Sequence, residues 1–179
     1  MVIRAARFNT YLLLLALLVA SVGCQTAAGK GKRQTAVIRV HVEAFRDSTT
    51  FNEMVSIGRT SPMLVNVHKT PFLTEDNVAK ATIVDAVGGF GLQVQFDRTG
   101  TMLLEQYTAS NPRKRLAIFS QFGEKLDRSR WLAAPMIYQR IPNGVLTFTP
   151  DANLEEAAQI ELGLNNYARK TQPKAETSQ

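Results

Sequence analysis

The stretch Leu73-Thr-Glu-Asp-Asn-Val-Ala-Lys-Ala-Thr-Ile-Val-Asp-Ala-Val-Gly-Gly-Phe-Gly-Leu-Gln-Val-Gln-Phe96 decides the reading of the fold, because it carries a helix signal and a strand signal side by side. Thr74 stands where a hydroxyl can accept from the free N–H groups of a first helical turn, and Glu75 and Asp76 follow at the positive end of the helix dipole. Leu73 and Val78 occupy the two positions of a hydrophobic staple. The pattern predicts a helix from Thr74 to about Val84 or Ala86, stopped at Gly88-Gly89. Beyond it Leu92, Val94 and Phe96 alternate with Gln93 and Gln95, which predicts a strand with one apolar face.

Upstream, Val37–Ala44 alternates: Ile38, Val40, Val42 and Ala44 face one way, and Arg39, His41 and Glu43 the other. That is the pattern of a half-buried strand. A polar loop at Asp47–Asn52 leads to short strands at Met54–Ile57 and Met63–Val67, closed by Pro71. Downstream, a helix over Gly100–Ser110 places Leu103, Leu104 and Tyr107 on one side. Arg115–Ser120 is apolar enough for a central strand, with Lys125–Met136 as its antiparallel partner, bent at Pro135. Pro142-Asn143-Gly144 is a turn before a last strand, Val145–Thr149. The last helix takes Asn153 as cap and Glu156 three residues on, runs to Leu164, and stops at Asn165-Asn166. This order predicts an α+β domain over residues 36–168: a mixed, mainly antiparallel sheet with about three helices packed on it.

The flanks are of another kind. Arg4 and Arg7 precede the ten-residue apolar run Tyr11–Ala20, half the roughly 20 residues that cross a bilayer core as a helix. With Ser21-Val22-Gly23 at its end, the segment has the parts of a secretory signal over residues 1–23. Val22-Gly23-Cys24 resembles a bacterial lipobox, in which the cysteine is acylated and becomes the mature N-terminus. Ser21 stands where that motif usually has Leu. The only cysteine of the chain falls at the position the motif needs; the competing reading is plain secretion with Cys24 as an incidental small residue. Gln25 after Cys24, by analogy with Gram-negative lipoproteins, points to the periplasmic side of the outer membrane. Residues 24–35 are small, polar and basic, the composition of a flexible tether, and 169–179 resemble a disordered tail. Removing Arg4 and Arg7 with the signal leaves 19 basic against 15 acidic residues, a surplus that suits anionic headgroups as well as any other polyanion. Lys30, Lys32 and Arg33 fall directly after the anchor.

Of the whole chain, 45% is hydrophobic and 20% charged, a globular composition. One cysteine excludes an internal disulfide and a cysteine-built metal site, and two histidines leave little for a histidine centre. His41 and His68 are expected on solvated positions. Gly88-Gly89-Phe90-Gly91 follows a predicted helix and precedes a strand, the reverse of a phosphate-cradling loop. Glu155 and Glu156 suit the dipole of the last helix. Arg113-Lys114-Arg115 has no aromatic interleaving, so it is a solvated loop rather than a nucleic-acid contact. Arg128 and Arg130 flank the approach to Trp131, the only tryptophan. These three are the candidate partner-binding edge, with Arg113 and Lys114 nearby, since Arg and Trp recur at binding hot spots; the competing reading makes Trp131 a core residue.

Five segments in order carry a family resemblance. Val65-Asn-Val-His-Lys-Thr-Pro-Phe-Leu-Thr-Glu-Asp-Asn-Val-Ala-Lys-Ala81, Val94-Gln-Phe96 with the helix after it, Arg115-Leu-Ala-Ile118, Ala133-Ala-Pro-Met-Ile137 and Phe148-Thr-Pro-Asp-Ala-Asn-Leu-Glu-Glu-Ala157 resemble the head subdomain of the first periplasmic domain of SecD, in the SecDF protein-export family. The resemblance covers residues 65–168. It implies the fold and a habit of binding polypeptide. It does not carry over the proton-driven motor, because nothing after residue 24 is long and apolar enough to span, and the intramembrane carboxylate that coupling needs is missing. The resulting expectation is a non-enzymatic envelope lipoprotein without cofactor or metal, held by Cys24 and binding an envelope or exported protein. The alternative is a structural lipoprotein associated with cell-wall polymer.

Overall fold

A computed structural model describes residues 34–45 and 50–171. The strands are β1 (Thr35–Val42), β2 (Asn52–Ile57), β3 (Met63–His68), β4 (Leu73–Thr74), β5 (Val78–Ala86), β6 (Gly89–Phe96), β7 (Leu116–Gly123), β8 (Arg128–Ala133) and β9 (Val145–Phe148). A single 3₁₀ turn spans Glu75–Asn77, and two α-helices follow, α1 (Arg98–Ser110) and α2 (Leu154–Thr171). The class is α+β as expected, with two α-helices among the described residues in place of about three. The strands form three sheets, β4-β1-β7-β8, β2-β3 and β5-β6-β9, and every pairing is antiparallel.

The helix expected over residues 74–86 is instead a 3₁₀ turn followed by the first strand of a hairpin. The start signals at Thr74 are obeyed for one turn only: Thr74 N–H donates to the Asn77 side chain at 3.2 Å. The chain then extends, because Thr82-Ile83-Val84 is a β-branched run that loses side-chain freedom in a helix and fits a pleated surface. Gly88, at φ 83°, makes the turn that returns β6 onto β5. The register pairs Ala81 with Val94, Ile83 with Leu92 and Ala86 with Gly89.

The four-stranded sheet is covered on both faces. On one, Ile38 and Val40 of β1, Ile118 and Phe122 of β7, and Ile160 and Leu164 of α2 are fully buried in the main core with Leu92 and Val94 of β6. On the other, the β2–β3 hairpin buries Val55, Ile57, Val65 and Val67 against Ala117, with Trp131 packed on them. Burial from both sides explains why β7 is a nearly continuous apolar run. It also corrects His41. The hairpin roofs the second half of β1, so His41 is buried while Arg39 stays in solvent.

The stop expected at Asn165-Asn166 does not occur, and α2 continues to Thr171. Both asparagines spend their amides on neighbours rather than on their own backbone. Asn165 accepts from Ala81 N–H and donates to Ala81 C=O, both at 2.9 Å, so α2 closes the outer edge of β5. Asn166 donates to Gln34 C=O at 2.9 Å. Among the described residues the first strand begins at Thr35 and the last helix ends at Thr171. Arg33–Gln179 is a compact unit of its own, with both cores inside it, so it is expected to fold without residues 1–32.

Candidate polypeptide-binding groove and its charged clasp

β9 is the shortest strand of the β5-β6-β9 sheet. Among the described residues it pairs with β6 alone. Phe96 N–H donates to Gly144 C=O at 2.9 Å, which sets the phase of the ladder. In an antiparallel pair alternate residues bond the partner, so Leu146 and Phe148 point their backbone groups at β6 and Thr147 points its N–H and C=O away. Val145, also outward, donates its N–H to the Asn143 side chain at 3.1 Å.

Two clefts meet along this free edge. The larger, about 510 Å³, lies between the β2–β3 turn (Gly58–Ser61), the end of β8 and the Phe148–Asp151 segment. The smaller, about 220 Å³, has Leu146 and Thr147 on one wall and Pro135–Ile141 on the other. Pro135 lines both. Their surfaces are mainly apolar, with a few polar groups at the rim, the composition of a site that takes side chains and orients backbone.

Charged pairs link the walls of the larger cleft. Arg59, at the hairpin turn, donates its backbone N–H to Asp151 at 2.9 Å and its Nε at 3.0 Å, and its Nη2 lies 3.7 Å from Glu156. Glu156 receives Arg130 through two bonds of 2.9 and 3.0 Å, and Arg130 also donates to Asp151 C=O at 2.9 Å. The capping box expected from Asn153 and Glu156 is present, with bonds of 2.8 and 3.1 Å. The Arg130 hydrogen bonds hold the Glu156 carboxyl down at about 2, aided by the Asn153 N–H and by Arg59 against the opposing effect of burial.

The residues singled out in the sequence are thereby distributed. Arg128 and Arg130 share the β8 face that looks at α2, where Arg128 reaches Gln159 and stacks 5.0 Å from the Phe122 ring centre. Trp131 lies on the opposite face, half-buried, edge-on to His41 at 5.2 Å and tilted against Phe119 at 5.3 Å. The three do not form one exposed edge, which corrects that expectation; in a strand, neighbours point to opposite faces. His41 is bound through Nδ1 to His68 C=O at 2.8 Å, and burial lowers its pKa. His68 is exposed at the end of β3, as expected. Arg113 and Lys114 lie at the far end of β7, Arg113 exposed and Lys114 with its Nζ 4.6 Å over the Phe45 ring. Cys24, and with it the signal and most of the tether, lies outside the described residues. Among the described residues no group of His, Cys, Asp and Glu is placed to hold a metal, and no helix is long and apolar enough to cross a membrane.

The groove and clasp have no local signal in the sequence. The run Gly58-Arg59-Thr60-Ser61-Pro62 between two strands marks the turn, but nothing local joins Arg59 to Asp151, 92 residues on.

Comparison with known proteins follows the same line. No curated protein matches the chain. A solved structure described as "Structure and function of a membrane component SecDF that enhances protein export" is 22% identical, with a TM-score of 0.54, over 81% of this chain and 70% of that one. SecDF in its "Super-membrane-facing form" is 21% identical, with a TM-score of 0.52, over 79% of this chain and 21% of that one. This chain thus spans about a fifth of the second structure's length, and at these identities the likeness is one of fold. The description "SecDF, P1 head subdomain" matches residues 49–168, two thirds of the chain, and the protein belongs to that family.

Proposed function

We propose that this protein is a non-enzymatic envelope lipoprotein, anchored through Cys24 on the periplasmic side, whose head domain holds an extended stretch of another polypeptide in the groove beside β9. The observation that carries this reading is the outward N–H and C=O of Thr147, set between two apolar clefts. An extended chain laid along β9 would bond that backbone while alternate side chains enter the clefts, the mode of strand addition. Membership of a family tied to protein export supports a polypeptide as the occupant. The outer membrane is the proposed location of the anchor, on Gln25.

Proline at position 147 separates this reading from others. It removes the outward N–H and leaves the β6 ladder intact, which an edge strand tolerates. With the Arg33–Gln179 unit and a fluorescent apolar peptide of strand-forming sequence, Thr147→Pro is expected to weaken binding about tenfold while leaving the thermal midpoint unchanged. Equal affinity of the two proteins rejects the groove. Sedimentation with purified wall polymer that survives Thr147→Pro, with no peptide binding, would favour the cell-wall alternative, which rests on the basic surplus alone.

The anchor is tested by labelling. Cells given labelled palmitate are expected to mark the parent protein and not Cys24→Ser; label retained by the variant, or absent from the parent, rejects acylation at Cys24.

A further inference from the structure

One end of the four-stranded sheet, which reaches the smaller cleft at Tyr138, carries aromatics that the fold does not bury. Phe45 is 75% exposed, Phe51 78% and Tyr138 85%. Their neighbours are cations. Lys114 Nζ sits 4.6 Å over the Phe45 ring. Arg113 and Lys114 bond Ile137, the residue before Tyr138, through Arg113 N–H at 2.9 Å and Ile137 N–H at 2.8 Å. Lys69 bonds Phe51 C=O through its backbone at 2.9 Å and Thr50 C=O through Nζ at 2.8 Å. Phe51 lines a cleft with Asn111, whose carbonyl accepts from Lys114 N–H at 3.3 Å. The six residues thus belong to one surface, where β1 ends, β7 begins and the β2–β3 hairpin is rooted.

The charge of this surface is not compensated. Among the described residues Lys69, Arg113 and Lys114 make no ion pair. The nearby acid, Glu43, spends its carboxylate on the Arg115 N–H at 2.9 Å. Arg113 also sits at φ 65°, a left-handed conformation that glycine or asparagine would take more cheaply. The Arg113 side chain is exposed, and among the described residues it makes no ion pair.

We propose that this surface seats the head domain on a bilayer rich in anionic lipid. The amphipathic Tyr138 ring is most stable at headgroup depth, the Phe45 and Phe51 rings bury as plain apolar groups just beneath it, and lysine and arginine beside them attract the negative surface. The three cations supply the complement to lipid phosphate, and the three rings the apolar depth that a purely ionic contact would lack. Phe45, Phe51 and the three cations line neither cleft of the groove, whereas Tyr138 shares the smaller cleft with Thr147, so the two contacts adjoin at Tyr138 alone.

The Arg33–Gln179 unit tests this without the apolar N-terminal run. In flotation it is expected to travel with vesicles of phosphatidylethanolamine and phosphatidylglycerol, to stay behind with phosphatidylcholine vesicles, and to be released by salt. The paired change Arg113→Gln, Lys114→Gln is expected to lower the partition coefficient about 30-fold, roughly fivefold for each charge removed. Phe51→Ser is expected to lower it as well, and Thr147→Pro to leave it unchanged. Equal partition onto both vesicle types, indifference to salt, or unchanged partition in the variants overturns the proposal. So does loss of an acidic polypeptide's binding in the paired variant with vesicle binding intact, which makes the surface a protein interface. Should the paired variant fail to fold, the salt and lipid dependence of the unaltered unit decides.

Discussion

Gly163→Ala is expected to cost the domain about 3 kcal/mol, although alanine is the better helix former. Position 163 lies on the buried face of α2, where the helix crosses β1 so closely that an added Cβ would sit 2.5 Å from Ala36 N, 2.6 Å from Thr35 C and 2.7 Å from Ala36 Cβ. Two of those atoms are backbone, and β1 is held between β4 and β7, so no side chain can turn aside to make room. The intrinsic gain of alanine over glycine in a helix is about 1 kcal/mol. The methyl must therefore be accommodated by lifting α2. Lifting it strains the Asn165 bonds to Ala81 and the Asn166 bond to Gln34, and opens the core around Ile160 and Leu164. Overpacking commonly costs 1–3 kcal/mol and more where backbone blocks the way, so the clash outweighs the helix propensity. The measurement is urea unfolding of the Arg33–Gln179 unit, with a midpoint in thermal unfolding lower by about 10 °C. Unchanged or raised stability would mean that α2 slides on β1 freely, and the close approach would lose its meaning.

Gly163 shows which parts of this fold local sequence can announce. The Asn153–Glu156 cap, the alternation of β1, the β6 face and the apolar run of β7 were all legible, because each signal and its structural consequence lie within a few residues. Residues 74–86 were not. Their start signals are those of a helix and are honoured for one turn, but the decision between helix and strand belongs to β6, which pairs with the segment through Gly88. The same holds for Asn165-Asn166. As a pair they spell a helix end, and only the free edge of β5 lying beside them turns their amides outward and lets the helix run on. His41 fell to the same cause, since its roof is a hairpin that begins eleven residues later. Trp131 was different. Strand periodicity alone places it opposite Arg128 and Arg130, so that separation was readable once β8 was accepted as a strand.

Arg130→Ala is expected to be nearly as costly as the change at Gly163, and its cost should vanish in acid. The two side chains are 22% and 11% exposed, and the guanidinium makes two bonds to one carboxylate. Removing Arg130 leaves Glu156 largely out of water with the Asn153 N–H and a distant Arg59 as its support. Breaking such a pair costs about 3 kcal/mol, because the surviving charge is left uncompensated. The pH dependence follows from the carboxyl. Its pKa falls from the ordinary 4.5 to about 2 in the fold, chiefly through the Arg130 hydrogen bonds. A depressed carboxyl stabilises the native state fully above its unfolded value and loses that contribution as pH falls toward 2, because the unfolded chain takes up the proton first. The unaltered domain should therefore lose about 3 kcal/mol from this group between the two values, and Arg130→Ala should lose much less over the same window. Glu156→Gln, which keeps the shape and gives up the charge, should show the same flattened acid limb. The double variant should be less destabilised than the sum of its parts, since neither charge is then left alone. Parallel acid limbs in the parent and Arg130→Ala would show that the carboxylate is stabilised from elsewhere and that the clasp at the mouth of the larger cleft is not what ties α2 to β8.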